Sequence, residues 1–297
     1  MTASTNPAIF FLSDYGNQDE FVGVVHAVLH LAAPGVPVID LTHQVPPFDV
    51  RAGAHTLVRA VPHLGPGVVL AVVDPGVGSP RRGLCLQVVT STGATMSFVG
   101  PDNGLLLAAA ELAGEAPVAR AVELVRRHSP DQRGGTFDGR DLFAPAAAAL
   151  CAGTAPEALG EPIDPASLVR LFGGVVEHGR LQDGRACVRT EVNWVDHFGN
   201  IQLAATFADA RRAGIPFTGT VELTASSESD LGRPSTLTPA LVPAGLTLRC
   251  VDVFADLAHG ELGLLVDANG HLAVVAGEAS AAHWLNVSAG ELVVLAW

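Results

Sequence analysis

Val68-Val69-Leu70-Ala71-Val72-Val73-Asp74-Pro75-Gly76-Val77-Gly78-Ser79-Pro80-Arg81-Arg82 is the stretch on which the reading of the N-terminal half turns. Its apolar run lacks the alternation of a half-exposed strand and is far too short to cross a bilayer, so it reads as a strand buried on both faces. A strand covered on both sides belongs to a layered α/β architecture. Around it, residues 9–12 and 36–41 read as strands, and residues 20–32 and 50–61 have the Ala/Leu-rich helical spacing. Residues 84–89 and 96–99 read as a hairpin or neighbouring strands, and residues 103–112 and 144–152 as helices. This alternation predicts an N-terminal α/β layered domain with a largely parallel sheet.

The Pro/Gly-marked stretch 153–184 reads as the boundary, giving domains over residues 1–180 and 181–297. Beyond it the segments 186–195, 200–203, 219–223, 247–253, 263–266, 271–276 and 292–296 are Val/Leu/Thr-rich with few helical signals. Closely spaced strands of this kind predict a smaller all-β domain, a barrel or a sandwich. A Ser/Glu-containing loop is expected around residues 226–235.

Composition narrows the function classes. All 17 basic side chains are Arg, so a Schiff-base lysine and the lysine of a phosphate-gripping P-loop are both excluded. Against 30 acidic residues the formal net charge is -13, which repels phosphate backbones and anionic lipid surfaces. Neither nucleic acid nor membrane is the expected partner; a small cationic ligand is. The N-terminus lacks a basic region followed by a long apolar one, so no signal peptide is expected. Cys85, Cys151, Cys187 and Cys250 stand apart with no C-x-x-C spacing and read as reduced core residues of a cytoplasmic protein. Among the 11 His there is no H-x-H, and His26 with His30 is the one H-x-x-x-H spacing; on this His pattern no metal site is expected.

In open α/β sheets, ligands bind beyond the carboxyl ends of the strands, so polar residues just after a buried strand are the candidates for chemistry. Asp14, after residues 9–12, can accept from a ribose diol or serve as a local turn or helix cap. Asp74 and Arg81 flank a stiff Gly/Pro loop and can hold one water between them, or can simply close the turn as an ion pair. Asp138, between Phe137 and Gly139, has no evident structural task, whereas Arg140-Asp141 reads as a structural pair near a helix N-terminus. The Gly100-Pro101-Asp102-Asn103-Gly104 turn is assigned mainly to helix capping. In the second half, Asp196, Phe198, Asn200 and Phe254 are either hairpin-turn and core residues or the parts of a cationic nucleoside site: an acid for an ammonium, an amide for a base edge, and aromatics for stacking.

Taken in order, these segments resemble the S-adenosyl-L-methionine (SAM) hydrolase (adenosine-forming) family, also called SAM hydroxide adenosyltransferases, relatives of the fluorinase and chlorinase. The match is carried by Phe10-Phe11-Leu12-Ser13-Asp14-Tyr15-Gly16, Ile39-Asp40-Leu41-Thr42-His43-Gln44-Val45-Pro46-Pro47-Phe48-Asp49-Val50, Val72-Val73-Asp74-Pro75-Gly76-Val77-Gly78-Ser79 and Phe98-Val99-Gly100-Pro101-Asp102-Asn103-Gly104-Leu105. Residues 136–145, 195–201 and 263–272 continue it, so it covers nearly the whole chain. The resemblance implies an α/β N-terminal domain, a C-terminal β-barrel and a homotrimer whose active sites lie between subunits. It implies hydrolysis of SAM to adenosine and L-methionine by attack of water on the ribose 5′ carbon, with SAM as substrate and no cofactor. It also implies roles: Asp14 on the ribose hydroxyls, Phe48 along the ribose, and Phe198, Asn200 and Phe254 around the adenine. Asp196 and the backbone at Ala268 and Asn269 would take the methionine ends, and Asp74 with Arg81 would activate the water.

Two positions depart from the family pattern. Asp138 stands where the family segment Thr-Phe-His-Gly-Arg-Asp has His, and Asp267-Ala268 replaces an Asn-Ser pair before Asn269-Gly270. Asp138 is therefore the expected third member of the water-activating set, in place of a histidine. Two other classes remain beside the hydrolase: a non-catalytic SAM-binding protein, which the Asp138 replacement favours, and a halide-using relative, which the Asp74–Arg81 pair opposes.

Overall fold

The computed structural model describes residues 7–125, 135–171, 173–215, 217–225, 240, 242 and 245–297. The loop expected at residues 226–235 lies outside them. The chain divides into two compact units, Met1–Leu171 and Phe172–Trp297.

The first unit is a seven-stranded sheet in the order β2-β1-β3-β5-β4-β6-β7. Its strands are β1 (Ala8–Ser13), β2 (Val38–Thr42), β3 (Gly67–Val72), β4 (Gly83–Val89), β5 (Thr95–Pro101), β6 (Arg120–Leu124) and β7 (Gly160–Ile163). The four strands β2-β1-β3-β5 run parallel, and β4, β6 and β7 add an antiparallel extension. Helices α1 (Phe21–Ala32), α2 (Val50–Ala60), α3 (Leu107–Gly114) and α4 (Ala144–Cys151) cover it.

Side-chain alternation sorts the layers. Ile9, Phe11, Val68, Leu70 and Val72 share one core with Val25 and Leu29 of α1 and with Ala144, Ala147 and Ala148 of α4. Gly53 of α2 packs toward Val73 and Leu105 on the other face. β1 and β3 are buried along their whole length, as the continuous apolar runs require. β1 pairs with β2 on one side and β3 on the other, which opens a topological switch point at the carboxyl ends of β1 and β3.

The second unit is an eight-stranded sheet in the order β10-β14-β13-β12-β11-β15-β9-β8, and β9 also pairs with β10. That extra pairing closes seven strands into a barrel, with β8 (Val176–Arg180) added outside β9 (Ala186–Val195). The remaining staves are β10 (Ile201–Thr206), β11 (Thr220–Ala225), β12 (Leu246–Cys250), β13 (Leu262–Val266), β14 (His271–Ala276) and β15 (Leu292–Ala296). All pair antiparallel except β12 with β13. Closure removes the exposed sheet edges that an open sheet of these strands would leave. Two short helices, α5 (Phe207–Ala213) and α6 (Ala281–Leu285), and strands β6, β7 and β8 are absent from the sequence reading.

The Gly100–Gly104 turn corrects another expectation. It caps no helix: α3 begins at Leu107 with no side-chain cap. Instead, Asp102 accepts from Arg82 Nε at 2.8 Å and from the Val169 N–H at 3.0 Å, while Asn103 Nδ2 donates to the Val73 carbonyl at 2.8 Å. Arg82 also reaches the Ser167 hydroxyl and carbonyl. Arg82 thus pins the far end of the loop that starts at Asp74. Removing a buried partner from such a pair leaves an uncompensated charge, so Asp102→Ala should cost about 3 kcal/mol of stability. Urea denaturation followed by circular dichroism measures this, and a loss under about 0.5 kcal/mol would place Asp102 among ordinary surface sites.

Candidate active site

Three segments meet at the switch point. The loop after β3 carries Asp74 and turns back through Gly76 and Gly78, the latter at φ +81°, to return Arg81. The segment before α4 carries Asp138, which opens a π-helical turn over Gly139–Phe143. Single π turns of this kind are frequent at functional sites, because they shift a side chain out of the helical register.

Arg81 Nε donates to Asp74 Oδ1 at 2.9 Å, and Nη2 donates to both Asp74 Oδ2 and Asp138 Oδ2. The side chains of Arg81, Asp74 and Asp138 are 10%, 5% and 1% exposed. Burial by itself would lower the guanidinium pKa, but the hydrogen bonds and charges of the two carboxylates outweigh it and leave the pKa raised. Arg81 is therefore a fixed cation. Its flat face lies over Phe143, with the guanidinium carbon 5.3 Å from the ring centroid. Among the described residues, the buried Nη1 has no hydrogen-bond partner, so one donor of the fork remains for a ligand.

Asp14 follows β1 on the adjoining strand. It caps no helix; its Oδ2 accepts from the Phe48 N–H at 2.9 Å. Phe48 has φ +68°, a left-handed conformation rare for an aromatic residue, and its ring is 72% exposed. Asp49 then caps α2 by accepting from the Ala52 N–H, so the Pro46-Pro47-Phe48-Asp49 turn is held from both sides. Strain held by surrounding contacts in this way is typical of ligand sites. Desolvation raises the Asp14 pKa, the Phe48 N–H partly offsets it, and the Asp74 charge adds to the rise.

Asp14, Phe48, Asp74 and Asp138 line one pocket of about 250 Å³ together with Tyr15, Phe21, Val77, Phe137 and Gly139. The sequence reading had the first four; the aromatic wall of Tyr15, Phe21 and Phe137, whose rings meet edge to face or tilted, it did not. A side chain at position 139 would collide with the Tyr15 hydroxyl, which explains the glycine.

In the barrel unit, Phe198, Asn200 and Phe254 line a second cleft with Ala276, Glu278, Ala279 and Ser280. Phe198 and Phe254 are 75% and 51% exposed, so they are not the core residues that a hairpin reading allows. Asp196 organises the loop from beneath. Its Oδ1 accepts from the Phe198 and Asn200 N–H groups, both at 2.9 Å, and its Oδ2 from Asn200 Nδ2 at 2.8 Å. The Asn200 amide nitrogen is thereby committed to Asp196. Gly199 has φ +83°, and a side chain there would collide with Ser280. Ala268 and Asn269 do not line this cleft. They sit on the turn before β14, held by Asp267, which accepts from the Asn269 and His271 N–H groups and from Gln202. Glu278 and Ser280 were missed by the sequence reading, since a Gly/Ala/Ser-rich turn carries no chemical signature of its own. None of the four cysteines is in a disulfide.

The candidate residues thus fall into a buried Asp–Arg–Asp cluster at the switch point of the α/β unit and an aromatic-walled cleft of the β-barrel unit. Residues 9–160 match the SAM hydroxide adenosyltransferase N-terminal domain and residues 190–294 its C-terminal domain, and the chain belongs to this family. It is 43% identical over 290 residues to the (R)-S-adenosyl-L-methionine hydrolase of Salinispora tropica, covering 96% of each chain. A fluorinase of Actinoplanes sp. is more distant, 26% identical over 99% of each chain. A conserved protein of Thermotoga maritima known from its crystal structure superposes with a TM-score of 0.78 at 32% identity, over 97% of this chain and 99% of that one.

The raised Asp14 pKa gives a stability test. Ionising Asp14 is harder in the folded chain than in the unfolded one, so its charge costs stability above the carboxylate titration range and costs nothing below it. Asp14→Asn should therefore raise the melting temperature at pH 7 but not at pH 3, while weakening ligand binding. Equal melting temperatures at both pH values would remove the desolvation argument.

Proposed function

We propose that the chain hydrolyses S-adenosyl-L-methionine to adenosine and L-methionine. The observation that carries the reading is the buried Asp74–Arg81–Asp138 cluster, whose two carboxylates line the pocket that also contains Asp14. The high identity to curated SAM hydrolases over nearly the full length supports the same substrate.

In the proposed step, a water oxygen attacks the ribose 5′ carbon in line with the C5′–S bond. The C5′–O bond forms, the C5′–S pair goes to sulfur, and methionine leaves as a neutral thioether without a general acid. The proton lost from water passes through a carboxylate to solvent. Arg81 offers its open Nη1–H to the water oxygen and stabilises hydroxide character as it develops. Asp74 and Asp138 hold that guanidinium and accept the proton. An aspartate in water has a pKa of about 3.9 and is a weak base, so proton transfer comes late, once C–O bonding has made the attacking water acidic. A dry pocket favours the reaction because an oxygen nucleophile and a sulfonium cancel charge on the way to the transition state.

For the rest of the ligand, Asp14 would accept from the ribose hydroxyls with the lone pairs that Phe48 leaves free, and Phe48 would cover the sugar. Phe198 and Phe254 would stack on adenine, and the Asn200 oxygen would accept from its exocyclic amine. Asp196, with Ala268 and Asn269, remains the candidate for the methionine ends. The pocket of about 250 Å³ lies below the usual range of about 300–1,000 Å³ for a whole ligand, so other residues must hold the remainder. A homotrimer in which each active site draws on a neighbouring subunit meets this need, and light scattering tests it. Cysteines outside any disulfide are consistent with a cytoplasmic site of action. No cofactor enters the scheme.

Incubation with SAM, followed by chromatography, should yield adenosine and methionine in equal amounts with or without chloride. Formation of 5′-chloro-5′-deoxyadenosine would indicate the halide-using class, and tight binding without turnover the non-catalytic one. Arg81→Ala and Asp74→Asn should each lower kcat by about 10²–10⁴-fold. Asp138→Asn should lower it markedly, and full activity in that variant would remove Asp138 from the proton path. Asn200→Ala should raise KM and reduce preference for adenine over other bases, with kcat largely kept.

A further inference from the structure

Behind the loop that carries Asp14, three side chains outside the proposed reaction converge. His26 comes from the middle of α1, Asp40 from β2 and His43 from the turn after β2. His26 Nε2 lies 2.9 Å from Asp40 Oδ1, and His43 Nε2 lies 3.1 Å from the same oxygen. One ligand atom from each residue falls within 4.8 Å of the other two. We propose that His26, Asp40 and His43 form a binding site for a divalent metal ion, with Zn²⁺ as the ion the donor set fits best.

Two imidazole nitrogens and one carboxylate oxygen are the donor types that a borderline cation such as Zn²⁺ takes. At metal–ligand distances of about 2.0–2.1 Å, tetrahedral geometry spaces ligand atoms about 3.4 Å apart. The two separations to Asp40 Oδ1, 2.9 and 3.1 Å, are shorter than that value by about half an ångström or less, an opening that small side-chain rotations supply. His43 is 6% exposed, and its Nε2 has no hydrogen-bond partner of acceptable geometry among the described residues although it is aimed at Asp40. A buried imidazole nitrogen directed at a carboxylate without a good hydrogen bond is what a ligand waiting for a cation presents.

The supporting shell is in place. Ser13 Oγ lies 2.8 Å from His43 Nδ1 and fixes the ring so that Nε2 faces the cluster. Phe11 forms a common floor, its centroid 4.5 Å from the His43 ring and 6.0 Å from the His26 ring. His26 and Asp40 are 34% and 43% exposed, which leaves a solvent-facing side through which an ion enters and where water completes its coordination. A bound ion would tie α1 to the carboxyl ends of β1 and β2. The His43 carbonyl already accepts from the Gly16 N–H at 2.7 Å, so the clamp would brace the Asp14 loop from behind. The one H-x-x-x-H spacing, His26 with His30, does not announce this site, because the β1-α1-β2 fold pairs His26 with Asp40 and His43 and not with His30.

The test is titration of chelator-stripped protein with Zn²⁺ by calorimetry, and with Co²⁺ followed by its visible absorption. The wild type should bind one ion per chain and melt at a higher temperature with metal. His26→Ala and Asp40→Asn should each weaken binding by at least about tenfold, since loss of a ligand costs no less than loss of an outer-shell partner. Both should keep the wild-type melting temperature in chelator, and His30→Ala, on the same helix, should bind as the wild type does. If His26→Ala melts early, His26→Gln replaces it. Absence of binding by the wild type, or equal binding by all variants, would overturn the proposal.

Discussion

Two carboxylates from different segments accept from the guanidinium of Arg81 inside the first unit, and the arrangement around the switch point follows from keeping that cation satisfied. Desolvating three ionic groups is expensive and is recovered only if their geometry is closely held. The loop from Asp74 to Arg81 must therefore be stiff, and its Pro and Gly residues make it so. Its far end must be anchored, and Arg82 anchors it on Asp102 and Ser167. Adjacent arginines thus have different duties: Arg81 holds the two carboxylates that line the pocket, and Arg82 holds the frame. The segment with Asp138 must reach across as well, and the π-helical turn and Gly139 allow that approach.

One formal positive charge between two negative ones leaves the cluster negative, with Asp14 close by. A cationic sulfonium gains from that field, whereas an anion such as halide must be brought into it against repulsion. Asp138 contributes to this character while staying in contact with Arg81. The excess of acidic residues elsewhere on the chain has no such local meaning. What matters electrostatically is the few carboxylates whose burial makes their charge felt.

The barrel unit solves a different problem. Its cleft presents two aromatic rings to solvent, and these need a rigid backbone to be useful for stacking. Asp196 provides it by accepting three hydrogen bonds within its own loop, and in doing so commits the Asn200 amide nitrogen and leaves the oxygen for recognition. The backbone of this segment is the hairpin turn that the sequence allows, while its Phe198 ring lies outside the core.

The sequence by itself determined the layered α/β half, the strand-rich second half and most of the residues that meet at the site. Continuous apolar runs report two-sided burial, and polar residues placed just beyond such runs are carried to the strand ends wherever the sheet goes. It was silent on β6, β7 and β8, because strands of four or five residues interrupted by charged side chains leave no clear apolar run. It also misassigned the Gly100–Gly104 turn, whose partners Arg82 and Val169 are distant in the chain. Only the tertiary structure decided that Asp138 shares Arg81 with Asp74, that the seven strands close into a barrel, and that His26, Asp40 and His43 stand within reach of one ion. Local periodicity records whether a residue is buried, but which charged groups face one another depends on how separate elements cross, and no stretch of sequence contains that on its own.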